Sequence, residues 1–345
     1  MKWRIAINGY GRIGQSILRA LYESDLRDKC SIVAINELAD IDTIAYLTRY
    51  DTTHGRFRLP VSVENAETLC IDGDRIKLSH HEGLEHLPWH ENNVDIVFEC
   101  TGAYSSREEA EKHIACGAKF VLFSQPASHD VDKTIVFGVN ENSLDAQDRI
   151  VSNASCTTNA IVPVLNSLHS NFGVLSGSLM TIHSAMNDQP IIDAYHTKDL
   201  RLTRSAMSSI IPVNTGLDRG IARLIPSLAG KISSNAVRVP TINVSLIDMV
   251  VRTREDVTAE QVNTALQVAA SSKYASLLGY TQEAHASVDF NHDPRSVIID
   301  GTQTQVVDGR LVKLLCWFDN EWGYANRMLD VACYWQQLLE DSAQH

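Results

Sequence analysis

What this chain lacks narrows it first. Its seven cysteines (30, 70, 100, 116, 156, 316 and 333) include no CxxC pair, and an odd number of scattered thiols builds no disulfide framework. That usage predicts a reduced, cytoplasmic protein. No apolar run is long enough to span a bilayer, so no membrane partner is expected. Met1 leads within two residues into the alternation Trp3-Arg4-Ile5-Ala6-Ile7, with no signal-peptide apolar region expected before it. Basic residues are outnumbered, 30 Lys and Arg against 42 Asp and Glu, for a formal net charge of −12. A nucleic-acid footprint would need Lys and Arg in clusters, so no nucleic-acid partner is expected either. His80, His81, His86 and His90 crowd one stretch, but without Cys partners or a ligand spacing they read as a solvated loop rather than a metal site.

What remains is an ordinary globular composition, 44% hydrophobic and 21% charged. At 345 residues the chain is longer than one core usually supports, so two domains are expected. Trp3–Ile7 reads as a buried strand running into Gly9-Tyr10-Gly11-Arg12-Ile13-Gly14, and Gln15–Ser24 has helical spacing. A strand before GxGxxG and a helix after it form the dinucleotide-binding context. The first glycine permits the turn, the second lets a pyrophosphate approach the backbone, and the third lets helix pack on strand. The phosphates would rest on the helix N-terminus. Ser31–Ile35 reads as the second strand, and Glu37 follows it, where a carboxylate accepts ribose hydroxyls and repels a 2′-phosphate. NAD is therefore expected over NADP.

Further strands are predicted at Val94–Cys100, Lys119–Ser124 and Thr134–Val139, with a helix at Arg107–Cys116. The alternation predicts a Rossmann-type, doubly wound parallel sheet. Thr101-Gly102 and Ser124-Gln125-Pro126 end two of its strands and become cofactor-groove candidates.

Asn153-Ala154-Ser155-Cys156-Thr157-Thr158-Asn159 places a thiol where an extended segment becomes a helix. The positive helix end and its unpaired N–H groups favour thiolate, the nucleophilic form. The helix runs from Thr157 to about Ser170, and a strand from Gly177 to Ser184 delivers His183. Spacing alone does not bring His183 to Cys156. Strand-like stretches at Ala236–Val239, Thr241–Val251 and Val312–Phe318, with helices at Thr258–Ser272 and Asn320–Leu339, predict an α+β second domain with a mixed or mostly antiparallel sheet. The expected division is 1–155 and 156–318, with 319–345 returning to the first domain.

The strings INGYGRIG, YDTTHGRF (Tyr50–Phe57), SNASCTTN, HSAMNDQ (from His183), AVRVPTINVS (from Ala236) and DNEWGYANRMLD (from Asp319) make this chain resemble the glyceraldehyde-3-phosphate dehydrogenase family from end to end. Within it, the branch it most resembles is that of the erythrose-4-phosphate dehydrogenases, on Asn36-Glu37-Leu38-Ala39-Asp40, Met186 and Asp289-Phe290-Asn291-His292-Asp293-Pro294. The resemblance implies that Cys156 is the nucleophile and His183 its general base. It implies that Ser155 and Thr157 contact substrate oxygens, that Thr215 and Gly216 hold phosphate or substrate, and that Arg238 grips the substrate phosphate. It places Gly9, Gly11, Arg12, Ile13, Gly14, Glu37 and Ser124 along the NAD groove, with Asn320 orienting the nicotinamide amide. It also implies a homotetramer, with the loop from about Ala185 to Ile211 near a neighbouring subunit's cofactor.

Two positions depart from the family pattern. Leu202, in Asp199-Leu200-Arg201-Leu202-Thr203-Arg204, stands where an arginine helps hold substrate phosphate. Glu82 stands where a cofactor-contacting arginine aligns. The branch implies oxidation of D-erythrose 4-phosphate to 4-phosphoerythronate, which feeds pyridoxal 5′-phosphate synthesis. The alternative is a phosphorylating glyceraldehyde-3-phosphate dehydrogenase. A third reading, an NAD-binding regulatory protein with residual catalysis, rests on Leu202 and Glu82 alone.

Overall fold

A computed structural model describes residues 2–197 and 199–342. The chain divides into two compact units. The first is built from the chain up to Ser155 together with the chain from Tyr324 onward, and the second is Cys156–Gly323. Lys198, within the loop expected near a neighbouring subunit, and residues 343–345 of the returning segment lie outside the described residues.

Unit one begins β1 (Trp3–Asn8), α1 (Arg12–Glu23), β2 (Cys30–Asn36) and α2 (Ile41–Arg49). A short hairpin, β3 (Tyr50–Asp51) and β4 (Gly55–Arg56), precedes β5 (Val61–Asn65), β6 (Thr68–Ile71) and β7 (Asp74–Ser79). Then come β8 (Ile96–Glu99), α3 (Arg107–Ala115), β9 (Phe120–Phe123), β10 (Lys133–Thr134) and β11 (Ile150–Ser152). Nine strands form one sheet in the order β10-β11-β9-β8-β1-β2-β7-β6-β5. The pairings from β10 across to β7 are parallel, while β5, β6 and β7 pair antiparallel. The central strands are buried on both faces, as parallel strands covered by helices must be, and so read as near-continuous apolar runs.

Three sequence expectations change here. The helix after the glycine loop starts at Arg12 rather than Gln15, because Gly11 already accepts the first helical hydrogen bond, from the Gln15 N–H at 3.0 Å. Strands β5–β7 add to the predicted set; β5 is mostly exposed and presents no apolar run to read. The expected strand Thr134–Val139 shrinks to Lys133–Thr134. Asn140 is the reason: its amide donates to the Thr134 carbonyl at 2.9 Å and accepts from the Val136 N–H at 2.8 Å, folding the segment into a turn.

The C-terminal helix, Trp322–Ser342, buries Met328, Leu329, Ala332 and Trp335. Trp335 packs edge-on against both Trp3 (centroids 6.2 Å apart) and Phe120 (5.0 Å), all within unit one. Truncating a buried tryptophan to alanine costs ~3–5 kcal/mol, so this ring is a principal anchor of the returning segment. Among the described residues no helix is long and apolar enough to cross a membrane.

Unit two opens with α4 (Cys156–Phe172) and β12 (Val174–His183), followed by β13 (Ile211–Val213), α5 (Leu217–Leu224), β14 (Ile232–Arg238) and β15 (Ser245–Thr253). It closes with α6 (Ala259–Ser271), β16 (Leu278–Thr281), β17 (Val297–Val307) and β18 (Leu311–Phe318). Its seven-stranded sheet runs β13-β14-β12-β15-β18-β17-β16. It is mixed: β12 lies parallel to β14 and antiparallel to β15, and β16 is parallel to β17. α4 buries Ala160, Ile161, Val164, Leu165 and Leu168, and α6 opens with a Thr258–Gln261 capping box. The fold is thus a Rossmann-type α/β unit plus an α+β unit with a mixed sheet.

Candidate active site

In unit one, Gly9 has φ +90°, and a Cβ there would meet the Thr101 N at 2.7 Å. A Cβ on Gly14 would lie 2.4 Å from the Gly9 carbonyl oxygen, so helix and turn could not close together. Above Gly11 there is open space, and Gly11 caps α1 with no side-chain hydrogen bond. The open space above Gly11, at the positive end of α1, fits a dinucleotide pyrophosphate. Glu37 is half-buried at the end of β2. Its carboxylate accepts from the Tyr10 N–H at 2.7 Å and the Leu38 N–H at 2.8 Å, which fixes it beside the glycine turn.

Arg12 forks onto Asp51, a partner the sequence reading did not identify although it lies inside YDTTHGRF. Burial alone would raise the Asp51 carboxyl, but the guanidinium and the His54 and Thr53 N–H groups bring it down to about 2. Ile13 is half-buried beside Arg12. Ser124 is half-buried at the end of β9, its N–H donating to the Glu99 carbonyl at 3.0 Å. Glu82 is exposed in the loop after β7, and its carbonyl accepts from the Tyr104 hydroxyl at 3.3 Å. His80, His81, His86 and His90 are likewise exposed.

Beneath this turn lies a polar network that sequence reasoning missed. Glu99, fully buried at the end of β8, accepts from the Asn8 amide at 2.6 Å, from His113 Nε2 at 3.0 Å, and from both the N–H and hydroxyl of Thr101. His113 accepts the Trp89 indole N–H on Nδ1 at 3.0 Å, so its hydrogen sits on Nε2 and points at Glu99. Asn36 closes the row by donating to Asn8 Oδ1 at 2.8 Å.

In unit two, Cys156 is the first residue of α4, following Ala154 in the left-handed region (φ 54°). His183 is the last residue of β12 and Arg238 the last of β14; the two are register partners across the parallel pair. The Cys156 Sγ lies 3.8 Å from His183 Nε2 and 3.9 Å from the Thr157 hydroxyl. His183 Nδ1 is 2.8 Å from the Ser184 carbonyl oxygen, which can only accept. The imidazole hydrogen is therefore on Nδ1, and the Nε2 lone pair faces the sulfur. Phe318 packs edge-on against the imidazole at 6.3 Å.

Burial raises the Cys156 thiol above its ordinary value, although the Thr157 hydroxyl and the N–H groups of Thr157 and Cys156 pull the other way. The helix start thus acts as expected, but desolvation outweighs it. Burial also lowers His183 below an ordinary imidazole, with Arg238 adding to the effect. Both shifts favour the thiol and the neutral imidazole over an ion pair.

Arg238 donates to Asp188 at 2.5 Å, an ion pair legible only in hindsight from HSAMNDQ. Asn320 is buried, and its Oδ1 accepts from the Ser184 hydroxyl at 3.0 Å and the Ser245 hydroxyl at 2.8 Å. Both acceptor directions are taken, which turns the amide NH2 to the other side. Thr215 and Gly216 lie between β13 and α5; the Thr215 hydroxyl accepts from the Leu217 N–H at 3.2 Å, and Gly216 precedes α5 as its N-cap. α5 packs against the first turn of α4, where a Cβ on Gly220 would lie 3.3 Å from the Thr158 hydroxyl. Ser155 is half-buried, one residue before the thiol. Leu202 is buried in a 3₁₀ turn, Leu200–Thr203, while neighbouring Arg204 pairs with Asp193 at 3.1 Å.

The structure therefore brings Cys156, Thr157 and His183 into contact, sets Arg238 in register with His183, and ties Asn320 to the residue after His183. Two family models match this chain. Residues 3–107 match the NAD binding domain of glyceraldehyde 3-phosphate dehydrogenase, and residues 155–320 match its C-terminal domain. The chain belongs to the glyceraldehyde 3-phosphate dehydrogenase family and is an NAD-dependent oxidoreductase.

Proposed function

We propose that this protein oxidises D-erythrose 4-phosphate to 4-phosphoerythronate with NAD, through a thioester on Cys156. The observation that carries the reading is the 3.8 Å approach of Cys156 Sγ to a His183 Nε2 whose hydrogen is held on the opposite nitrogen. An aldehyde carries no hydride donor until a nucleophile adds to it. As the sulfur attacks the aldehyde carbon, His183 Nε2 takes the thiol proton. The resulting hemithioacetal oxyanion is held by the Cys156 N–H and the protonated imidazole. Bound NAD supplies the hydride acceptor that turns the hemithioacetal into a thioester. His183 releases that proton to solvent and, neutral again, takes one from the water that attacks the thioester carbon, expelling the Cys156 sulfur and releasing the acid. Arg238 grips the substrate phosphate in exchange for Asp188, and Ser155, Thr157, Thr215 and Gly216 contact substrate oxygens. Gly9, Gly11, Arg12, Ile13, Gly14, Glu37 and Ser124 hold the dinucleotide, and Asn320 presents its NH2 to the nicotinamide amide.

Leu202 and Met186 favour erythrose 4-phosphate over the phosphorylating alternative, because neither side chain can donate to an anion. Leu202 is engaged in packing and Met186 is exposed. With those contacts gone, a second phosphate has less to hold it and water becomes the acyl acceptor. In this reading the domains are 1–155 with the C-terminal helix and a catalytic 156–318, and the enzyme is a cytoplasmic homotetramer serving pyridoxal 5′-phosphate synthesis. Exposed Ile191, Ile192, Tyr195, Leu200 and Ile210 on the 185–211 loop support subunit contact there.

The test is NADH formation from erythrose 4-phosphate and glyceraldehyde 3-phosphate, each with and without inorganic phosphate. Faster turnover of erythrose 4-phosphate that is indifferent to phosphate supports the proposal. Phosphate-dependent turnover of glyceraldehyde 3-phosphate as the faster reaction selects the alternative.

A further inference from the structure

Cysteine 30 opens β2, and Cys333 lies on the C-terminal helix, 303 positions later. Their sulfurs are 3.7 Å apart, the one thiol–thiol contact among the described residues. The other five cysteines are differently engaged: Cys116 donates to the Leu84 carbonyl at 3.1 Å, Cys70 to Glu64 at 3.4 Å, Cys100 meets Ser124, Cys156 faces His183, and Cys316 is sealed in unit two. Cys30 is fully buried and Cys333 is half-buried, so only one member of the pair meets a solvent-borne reagent. Both belong to unit one and need no movement between units to react.

We propose that Cys30 and Cys333 form a redox modification site, closing to an internal disulfide when a hydroperoxide oxidant reaches Cys333. The Cys333 thiolate attacks the peroxide O–O bond; hydrogen peroxide becomes water once hydroxide takes a proton, and Cys333 becomes a sulfenic acid. Cys30, deprotonated, then attacks the Cys333 sulfur, the S–S bond forms, and hydroxide leaves to be protonated to a second water. In total, two thiols and one peroxide give one disulfide and two waters. The sulfurs lose the two electrons the peroxide gains, and an external dithiol reverses the step by thiol–disulfide exchange.

Geometry decides which thiol reacts first and which resolves. The buried Cys30 cannot meet oxidant but already touches its partner, so its place is that of the resolving thiol. Contact with the Cys30 sulfur draws the Cys333 thiol below its ordinary value, with burial and Asp330 opposing and the Lys29 charge assisting. The sulfurs have to close only from 3.7 Å to the ~2.05 Å of a disulfide. The bond would tie the start of β2 to the C-terminal helix, which Trp335 already anchors against Trp3, the register partner of Cys30. Transient bonds of this kind are the form in which disulfides occur in reducing compartments.

The test treats the full-length protein with stoichiometric hydrogen peroxide, alkylates remaining thiols, and maps the digest by non-reducing mass spectrometry. The expected product is a peptide pair linked through Cys30 and Cys333, lost on dithiothreitol treatment and absent from Cys333→Ser. Oxidation should also raise Tm by at least about 2 °C, reversibly and only when both thiols are present. Recovery of Cys333 as free thiol or as sulfinic acid, with no linked pair, overturns the proposal. Because mapping is done on the unaltered chain, a Cys30→Ser variant that failed to fold would not blunt the result. Oxidation of Cys156 yields different peptides and leaves the reading unaffected.

Discussion

In unit one, the side chains at the ends of the central parallel strands hydrogen-bond to one another: Asn36 to Asn8, Asn8 to Glu99, and Glu99 to Thr101 and His113. What this end offers a ligand is backbone, the N-terminus of α1 with open space above Gly11. In unit two, the ends of the parallel pair β12 and β14 carry reactive side chains instead. His183 faces a thiol, and Arg238 is held by a half-exposed Asp188 that an anion can replace. The same device, a polar residue ending a parallel strand, thus serves two purposes. Where strand-end groups satisfy each other they fix a rigid cradle, and where they face a thiol or a half-exposed carboxylate they are the groups to which the proposed function assigns chemistry. Changes at Cys156, His183 and Arg238 should therefore damage turnover and spare NAD binding, and changes in the Glu99 network should do the reverse.

The largest effect is expected from Cys156→Ala. Removing a covalent nucleophile costs ~10⁴-fold or more in kcat, and NAD affinity measured by fluorescence titration should stay within twofold. Residual NADH production within tenfold of the unaltered enzyme would break the comparison at its root. His183→Asn removes the proton acceptor and should slow acylation by ~10²–10⁴-fold in single-turnover kinetics, the range for a positioned general base. Its pH dependence should move to that of the thiol alone.

Glu99→Gln tests the other side. It puts an NH2 where four donors converge, and disrupting so buried a charge costs about 3 kcal/mol in denaturant unfolding. Among enzymes that still fold, the NAD Kd should rise while the single-turnover rate at saturating NAD changes little. A fall in that rate with unchanged Kd would mean that the network serves the chemistry. Arg238→Met should raise KM for a phosphorylated aldehyde by ~10–100-fold, the loss of a charge-assisted contact, with kcat less affected.

The smallest expected effect is in pH. Protonated His183 cannot take the thiol proton, and burial lowers its pKa, so the acid limb of acylation should lie below that of an ordinary imidazole. Burial raises Cys156, so iodoacetamide alkylation should keep accelerating above the ordinary thiol range. An alkylation midpoint below that range would mean a resting thiolate–imidazolium pair, contrary to the neutral pair described here.

The sequence made unit one legible because its signals are local. Gly9, Gly11 and Gly14 each do one backbone task within six residues, and the apolar strands declare themselves by composition. Cys156 at a helix start was legible for the same reason. The contact of Cys156 with His183 was not: it depends on β12 returning along α4 so that its last residue arrives at the helix's first. The pairing of His183 with Arg238 depends on parallel register between strands more than fifty residues apart, which no spacing encodes. Here the family strings supplied what periodicity could not. The Glu99 network escaped because buried polar residues at strand ends look, in sequence, like ordinary loop starts. The Thr134–Val139 misreading has a similar origin: one asparagine side chain, Asn140, outcompeted strand pairing for the backbone.

The central claim is that Cys156 carries the substrate as a thioester. Rapid mixing of enzyme, NAD and erythrose 4-phosphate, with acid quench and peptide mass analysis, tests it most directly. The account predicts a burst of NADH approaching one per subunit and a phosphoerythronyl adduct on the Cys156 peptide, both absent from Cys156→Ala. Steady NADH production with no burst and an unmodified Cys156 peptide throughout would contradict it.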